Sequence, residues 1–302
     1  MSRVLVTGAS GFVGVPLLSE LVALGAEVHA VHSRGDVAPI EGVSWHRVDL
    51  ADEAAVTALL AATRPERLAH LAWYVEHGRF WSSPENVVWV EHSLGLLRAF
   101  AAAGGRRALL LGTCAEYDWS GVRGPLRELG SPLRPATAYG TAKDSLRHLA
   151  EIYTASFDIE LAWARLFFMY GPREQPARLV PAVIRGLLAG EPMPTSGGEQ
   201  VRDFLHVRDV GGALAALLCS EVTGPVNIAS GIGTKVREVI AEIASQVGRP
   251  ELVRYGALPE RLDEPPLLVA DIERLRREVG FESRIGLAEG IAETISWWRE
   301  RR

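Results

Sequence analysis

A tyrosine and a lysine stand four residues apart in Tyr139-Gly140-Thr141-Ala142-Lys143. Positions i and i+4 share one face of a helix, so a phenol and an amine there can reach one reacting centre. A free phenol has a pKa of about 10, so work as a base near neutrality needs a shift of about 3 units, or about 4 kcal/mol. A nearby ammonium favours the phenolate and supplies part of that shift. At the other end of the chemistry, Gly8, Gly11 and Gly14 keep the spacing G-x-x-G-x-x-G. This turn follows the apolar run Val4-Leu5-Val6 and opens an amphipathic helix, the context that seats a dinucleotide pyrophosphate on helix N–H groups. Gly8, Gly11, Phe12, Val13 and Gly14 are therefore expected at a cofactor. A nucleotide cofactor beside a proton-transferring tyrosine points to hydride chemistry on an alcohol or ketone.

Composition sharpens the lysine. Lys143 and Lys235 are the two lysines among 32 basic residues, and the other 30 are arginine. A chain that writes arginine almost everywhere keeps a compact, pKa-tunable amine at position 143. The net charge of −5 gives no electrostatic reason to expect nucleic acid or an anionic membrane. Cys114 and Cys219 cannot build a disulfide framework or a metal site, so no metal is expected and a reducing, cytoplasmic setting is the default. Met1-Ser2-Arg3 runs straight into strand-like sequence, and no apolar run is long enough to span a bilayer.

The elements that must position these groups alternate. Strands are expected near Val4–Thr7, Glu27–His32, Val43–Val48, Arg67–Leu71, Ala108–Gly112 and Glu160–Arg165. Helices fall between them at Val13–Leu24, Glu53–Ala62, Asn86–Ala103 and Ala138–Phe157. Continuous apolar strands suit a parallel sheet covered on both faces. The expected fold class is α/β: a doubly wound parallel Rossmann sheet over residues 1–170, with its crevice at the strands' carboxyl ends. After Gly171-Pro172 the rhythm changes. Helices are expected near Leu179–Ala189, Val207–Cys219, Thr234–Gly248, Asp271–Val279 and Leu287–Arg301, with short strands near Phe204 and Val226. Residues 171–302 then form mainly a smaller substrate-binding lobe, the chain returning to the main sheet around 205–228.

The second strand ends at His32-Ser33-Arg34. A carboxylate here would bind the adenosine 2′-hydroxyl of NAD, and neither His32 nor Ser33 supplies one. Arg34 could pair with a 2′-phosphate, which favours NADP over NAD, or stand as a solvated turn residue. Asp49-Leu50 after the third strand could cap the adenine, or Asp49 could be an ordinary helix N-cap.

In order and spacing, Thr7–Gly14, Asp49-Leu50, His70-Leu71-Ala72, Gly112–Tyr117, Tyr139–Lys143, Arg165–Pro172, Gln200–Asp209, Val226–Gly231 and Arg261–Asp263 carry a resemblance. The chain resembles the extended short-chain dehydrogenase/reductase family, in its branch of nucleotide-sugar epimerases, dehydratases and ketoreductases. The resemblance implies an NAD(P) domain and a lobe for the diphosphate of a nucleotide-linked sugar. It implies that Thr113 orients the reacting hydroxyl or carbonyl, that Lys143 bonds the nicotinamide ribose, and that Leu71 and Ala72 lie at the cofactor. A homodimer through Asn86–Ala103 and Ala138–Phe157 is implied too. Leu94, Leu97, Leu146 and Leu149 could serve that contact or the chain's own core.

Departures from the family narrow the chemistry. The dehydratases carry an Asp-Glu pair after the threonine, where this chain has Cys114 and Ala115, so dehydration is not expected. Glu116 comes one place too late and should point to the other side of a strand. Cys114 reads as a small buried residue or a substrate contact. Phe168 stands where the family has an asparagine beside the diphosphate, and Trp89 replaces another asparagine. Arg202 in the intact Gln200–Phe204 run, and Arg261 less securely, could clamp a pyrophosphate or form ordinary salt bridges. The loop Trp73–Trp81 should line the substrate side, with Trp73 and Tyr74 stacking on a sugar and His77 or Glu76 bonding its hydroxyls. The reading expected is a 4-ketoreductase or dehydrogenase of a nucleotide sugar using NADP. A 4-epimerase with tightly held NAD, or the same redox chemistry on a non-sugar substrate, are the alternatives.

Overall fold

The computed structural model describes residues 2–33, 35–260 and 264–301. Along the chain come β1 (Arg3–Thr7), α1 (Gly14–Ala23), β2 (Glu27–His32), β3 (Val43–Arg47), α2 (Glu53–Thr63), β4 (Arg67–His70), α3 (Glu85–Ala102), β5 (Arg107–Thr113), α4 (Ala138–Ala155) and β6 (Glu160–Leu166). Then follow β7 (Phe168–Tyr170), α5 (Leu179–Ala189), β8 (Met193–Pro194), β9 (Val201–His206), α6 (Val207–Cys219), β10 (Gly224–Ile228), β11 (Gly233–Lys235), α7 (Val236–Val247), β12 (Val253–Arg254), β13 (Leu267–Leu268), α8 (Glu273–Arg277) and α9 (Leu287–Arg299).

Seven strands make one sheet in the order β10-β6-β5-β4-β1-β2-β3, every pair parallel. This is the doubly wound Rossmann arrangement. Val4, Leu5 and Val6 are wholly buried because helices cover both faces. Leu17, Leu18 and Leu21 of α1 meet Val210, Leu214 and Leu217 of α6 on one side. Leu60 of α2, Leu97 and Phe100 of α3, and Leu146 and Ala150 of α4 pack on the other. Strand order reverses at β1, which has β2 on one flank and β4 on the other. The loops leaving β1 and β4 therefore part, and the crevice opens between Thr7 and His70, which lie in register.

The C-terminal elements rejoin this sheet. α6 lies against α1, so closely that a Cβ on Gly211 would sit 2.7 Å from the Pro16 backbone carbon. β10 then pairs with β6. β9 is the centre of a smaller sheet with β7, β11 and β13, and α5, α7 and α9 close round Leu187, Ile240, Ile243 and Ile291. The helix expected from Thr234 begins only at Val236, because Gly233–Lys235 pair with β9 as a strand. The helix expected over Asp271–Val279 is shorter, with Asp271 accepting from the Glu273 N–H as it starts. Of the leucines offered for a dimer contact, Leu97 and Leu146 belong to the chain's own core, while Leu149 is exposed. Among the described residues no helix is long and apolar enough to cross a membrane.

Arg107 ties the sheet to the end of α6. Buried at the start of β5, its guanidinium donates to the carbonyls of Leu218, Leu217 and Val222 and to the Glu160 carboxylate. Those carbonyls have no helical partner. Arg107→Met should lower the unfolding free energy by about 3 kcal/mol; an unchanged urea midpoint would show that the bonds carry no stability.

Candidate active site

The crevice floor is built by glycine. Gly8 leaves β1 with a φ of 65°, and a Cβ there would lie 2.7 Å from the Ala72 nitrogen. A Cβ on Gly14 would lie 2.4 Å from the Ala9 carbonyl oxygen. The turn thus presses on the loop after β4 and delivers α1 directly beneath it. Val13 caps α1 without a side-chain bond, and the first turn holds no carboxylate, so its N–H groups stand ready for an anion. These cradles fit a dinucleotide pyrophosphate, with Phe12 and Val13 half-buried beside it.

His70 fixes the two sides of this crevice. The Ser93 hydroxyl donates to the Trp89 carbonyl at 2.6 Å, so it must accept from His70 Nε2 at 2.8 Å. Nδ1 then accepts from the Thr7 hydroxyl at 2.7 Å, and Thr7 Oγ1 receives the Ala72 N–H at 3.4 Å. The chain of bonds requires a neutral imidazole. Burial, and the Lys143 charge after it, pull the pKa of His70 down to about 3.

At the adenosine end, His32 turns Nδ1 into a buried place with no partner among the described residues. Its ring meets Trp45 edge-on at 5.9 Å, and the Trp45 N–H is also unpartnered. Ser33 is exposed; Arg34 lies outside the described residues. The N-cap of α2 is Asp52, not Asp49. Asp49 instead accepts from the Ala51 N–H two residues on, and Leu50 is buried.

The groups expected to react lie at the end of β5. Thr113 caps a single 3₁₀ turn, Cys114–Glu116. Glu116 is therefore not on a strand, and it does not point away. Its carboxylate folds back, wholly buried, to accept from the Thr113 N–H at 2.7 Å, the Trp163 indole and the Arg165 guanidinium at 2.7 Å. Gly112 makes room, since a Cβ there would collide with Trp163 and Glu116. A Cβ on Gly140 would lie 2.3 Å from the Ala115 carbonyl oxygen, so the first turn of α4 rests on this 3₁₀ turn. Thr137 caps α4 by accepting from the Gly140 N–H at 3.0 Å. That contact brings the Tyr139 phenol to the Thr113 side chain, which acts to lower its pKa.

Tyr139 is enclosed by aromatic edges, with Phe80 at 5.0 Å and Trp81 at 5.8 Å, and its N–H donates to the Trp81 carbonyl. Burial pushes the phenol pKa up, and the Thr113 bond and the Arg178 charge only partly oppose it. The Lys143 amine has partners of its own. The amine is turned to the Leu111 carbonyl at 2.8 Å and lies over the Trp73 ring, 3.6 Å from its centroid. Burial brings the lysine down to about 7, against the pull of Glu116.

Of the residues considered for substrate contact, Cys114 is buried, as its first reading had it, and Arg202 forms a salt bridge. Trp73 is buried beneath Lys143, its indole N–H given to Asn86 at 2.9 Å. Cys114 is buried among Tyr117, Phe167 and Leu268, and burial pushes its thiol up to about 12, so it is no nucleophile. Arg202 is buried and held by Glu264 at 2.7 Å, its guanidinium 5.5 Å over the Phe168 ring. Phe168 itself packs on Phe204. Tyr74 bonds Glu76 at 2.8 Å, and His77 is exposed. Arg261 lies outside the described residues.

Sequence reasoning missed three groups. Asn86, wholly buried, donates to the Phe80 and Ser83 carbonyls and latches the aromatic loop. Arg178, at the start of α5, lies 5.6 Å over the Phe80 ring and acts on Tyr139. Its place just before a helix after Gly171-Pro172 was the available signal. Glu174 is buried with one oxygen unpartnered among the described residues, and burial raises its carboxyl to about 8 against the Arg178 charge.

With this geometry in hand, known proteins are informative. The sequence model of the NAD dependent epimerase/dehydratase family matches residues 4–229. A UDP-glucose 4-epimerase of Mycolicibacterium smegmatis is 29% identical over 321 residues, covering 99% of each chain. A dTDP-glucose 4,6-dehydratase of Xanthomonas campestris pv. campestris is 28% identical, over 99% of this chain and 93% of its own. The solved structure of MoeE5 in complex with UDP-glucuronic acid and NAD is 32% identical with a TM-score of 0.85, over 99% of this chain and 100% of its own.

The His70 network sets an acid limit. Its folded pKa of about 3 lies below an unfolded value near 6.5, so the unfolded chain binds more protons between those values. Stability therefore rises with pH across that window and is lost as pH falls from about 6.5 towards about 3. His70→Gln, which cannot titrate, should flatten this fall in urea unfolding at stepped pH. An unchanged slope would mean the imidazole is not held neutral.

Proposed function

From the premise that the chain belongs to the NAD dependent epimerase/dehydratase family, and is an enzyme of the extended short-chain dehydrogenase/reductase type, we propose that it is a nucleotide-sugar oxidoreductase. It acts at carbon 4 of the hexose as a 4-ketoreductase or dehydrogenase. The observation that carries this reading is the placement of the Tyr139 phenol beside the Thr113 side chain in an aromatic enclosure of Phe80 and Trp81, where burial raises its pKa and favours the protonated form. A protonated phenol is what reduction of a ketone consumes. Tyr139 gives its proton to the oxygen on carbon 4, and the Thr113 hydroxyl holds that oxygen in line. When bound, the dinucleotide supplies the hydride transfer to or from that carbon. Gly8, Gly11, Phe12, Val13 and Gly14 would hold its pyrophosphate, Leu71 and Ala72 its middle, and Lys143 its nicotinamide ribose.

Dehydration is a poor fit, because Cys114 and Ala115 supply no carboxyl and Glu116 is committed to Arg165. Arg202 is already paired with Glu264, so Arg178 at the N-terminus of α5 is the better candidate for the sugar diphosphate. The elements over 171–302 then serve as the substrate-side lobe. The lack of a carboxylate at His32 and Ser33 supports NADP. The similarity to MoeE5, whose structure contains NAD, supports NAD and, with the M. smegmatis relative, a 4-epimerase as the second reading. A homodimer belongs to the same proposal, since Leu149 and Ile152 of α4, Phe157 just after it and Val87 of α3 are exposed.

The deciding assay is a panel of dTDP-, UDP-, GDP- and CDP-linked hexoses and 4-keto-hexoses, followed for NAD(P)H change and for epimer formation. Consumption of NADPH with a 4-keto-hexose supports the reductase; epimer formation with NAD retained through purification supports the epimerase. Tyr139→Phe should cut turnover by about 10²–10⁴-fold and leave dinucleotide affinity within a few-fold. Full turnover in that variant would remove Tyr139 from the chemistry. Arg34→Ala should weaken NADP more than NAD in equilibrium titrations, and equal losses would overturn the NADP preference.

A further inference from the structure

Lys143 is held in an unusual way for a buried cation. Its side chain is almost wholly enclosed. An ammonium has three protons to place, yet among the described residues its one hydrogen-bond acceptor is the Leu111 carbonyl. Among the described residues no carboxylate bonds it. The other side of the charge faces the indole of Trp73, with Nζ 3.6 Å from the ring centroid, inside the range where an aromatic quadrupole attracts a cation and where exclusion of water strengthens the attraction. The indole cannot turn aside. Its N–H is bound to Asn86 Oδ1 at 2.9 Å, and Asn86 is wholly buried and bound to the Phe80 and Ser83 carbonyls.

We propose that Trp73 is a positioning residue of this site: its ring face holds the Lys143 ammonium in place, and Asn86 fixes the angle of that face. This deepens the reading of Lys143 as the amine of a Tyr139–Lys143 pair and rests on it. The arrangement keeps a charge in a dry crevice without a carboxylate beside it. A carboxylate there would bind the ammonium more tightly and hold it away from a cofactor ribose. A ring face yields it, because its attraction has no fixed acceptor atom. The same loop that carries Trp73 also sets Phe80 and Trp81 against Tyr139, so one latch at Asn86 orients the surroundings of both reacting groups.

The other groups that act on Lys143 are accounted for. Glu116 faces it from the turn after β5 and favours its charge. His70 feels it from β4 and is held neutral. Asp144, next to it on α4, is bound to Arg147. Removal of the ring should therefore change the proton affinity of Lys143 through loss of the π contact.

The chain's two lysines make this measurable. Protein grown with lysine labelled with ¹³C at Cε gives two signals, and Lys235→Arg assigns them. In Trp73→Leu the pKa of Lys143 should fall by about one unit, a tenfold loss of proton affinity. In Trp73→Phe, whose ring is a weaker cation partner than indole, it should fall by less. Lys235 should not move in either. A Lys143 titration unchanged in Trp73→Leu overturns the proposal. If Trp73→Leu does not fold, Trp73→Phe decides alone, and a Lys143 pKa that stays put or rises there overturns it. A purely structural tryptophan would change the melting temperature and leave the lysine titration alone. The titration reads the contact whether or not any nucleotide sugar is turned over, so failure of this proposal and failure of the proposed function are told apart.

Discussion

The first turn of α4 rests on the turn that ends β5, and the rest of the site depends on that contact. Gly140 permits it, because any side chain would strike the Ala115 carbonyl. Thr137 starts the helix at the right residue, and Glu116 folds back to hold the turn from below. With both ends set, the phenol of Tyr139 falls on the hydroxyl of Thr113, and Lys143, one turn on, reaches across to β5. A shift of an ångström between these two pieces would part the reacting groups, which is the scale on which orientation governs rate.

Buried polar groups around this contact each have a dedicated answer to desolvation. Glu116 answers with Arg165 and two further N–H donors, the Thr113 backbone and the Trp163 indole. His70 answers by staying neutral between Thr7 and Ser93. Lys143 answers with one carbonyl and a ring face. Each solution is physically different because each group has a different task. An ion pair of the Glu116–Arg165 kind is permanent, since removal of either member would strand a charge. The ring face under Lys143 leaves the ammonium able to change partners. The loop from Trp73 to Trp81 serves this division, burying Trp73 and Phe80 while Tyr74 is half-covered and His77 stays in water.

The elements were largely legible in the sequence. Apolar runs such as Val4-Leu5-Val6, glycine at the start of α1 and the 3.6-residue rhythm of α3 and α4 are local signals, and local backbone physics reads them. The strand Gly233–Lys235 was not legible, because its partner lies about 30 residues earlier on β9. Within the crevice, Gly8 and Gly14 make the tight turn that their spacing suggested, and Thr113 and Tyr139 lie at the end of β5. Glu116 was misread as a strand residue because the 3₁₀ turn that redirects it is held by Trp163 and Arg165 from another strand.

The sequence by itself determined which residue types are available for chemistry and largely which segments are strands and helices, since both follow from residue type and from neighbours within a few positions. Only the tertiary structure decided what each side chain touches. It set the Lys143 amine on the Leu111 carbonyl and over the Trp73 ring, and gave Arg202 to Glu264. Those outcomes depend on charge and burial set by residues tens of positions apart. Desolvation, which dominates the pKa of Tyr139 and Lys143, exists only once the chain has folded around them.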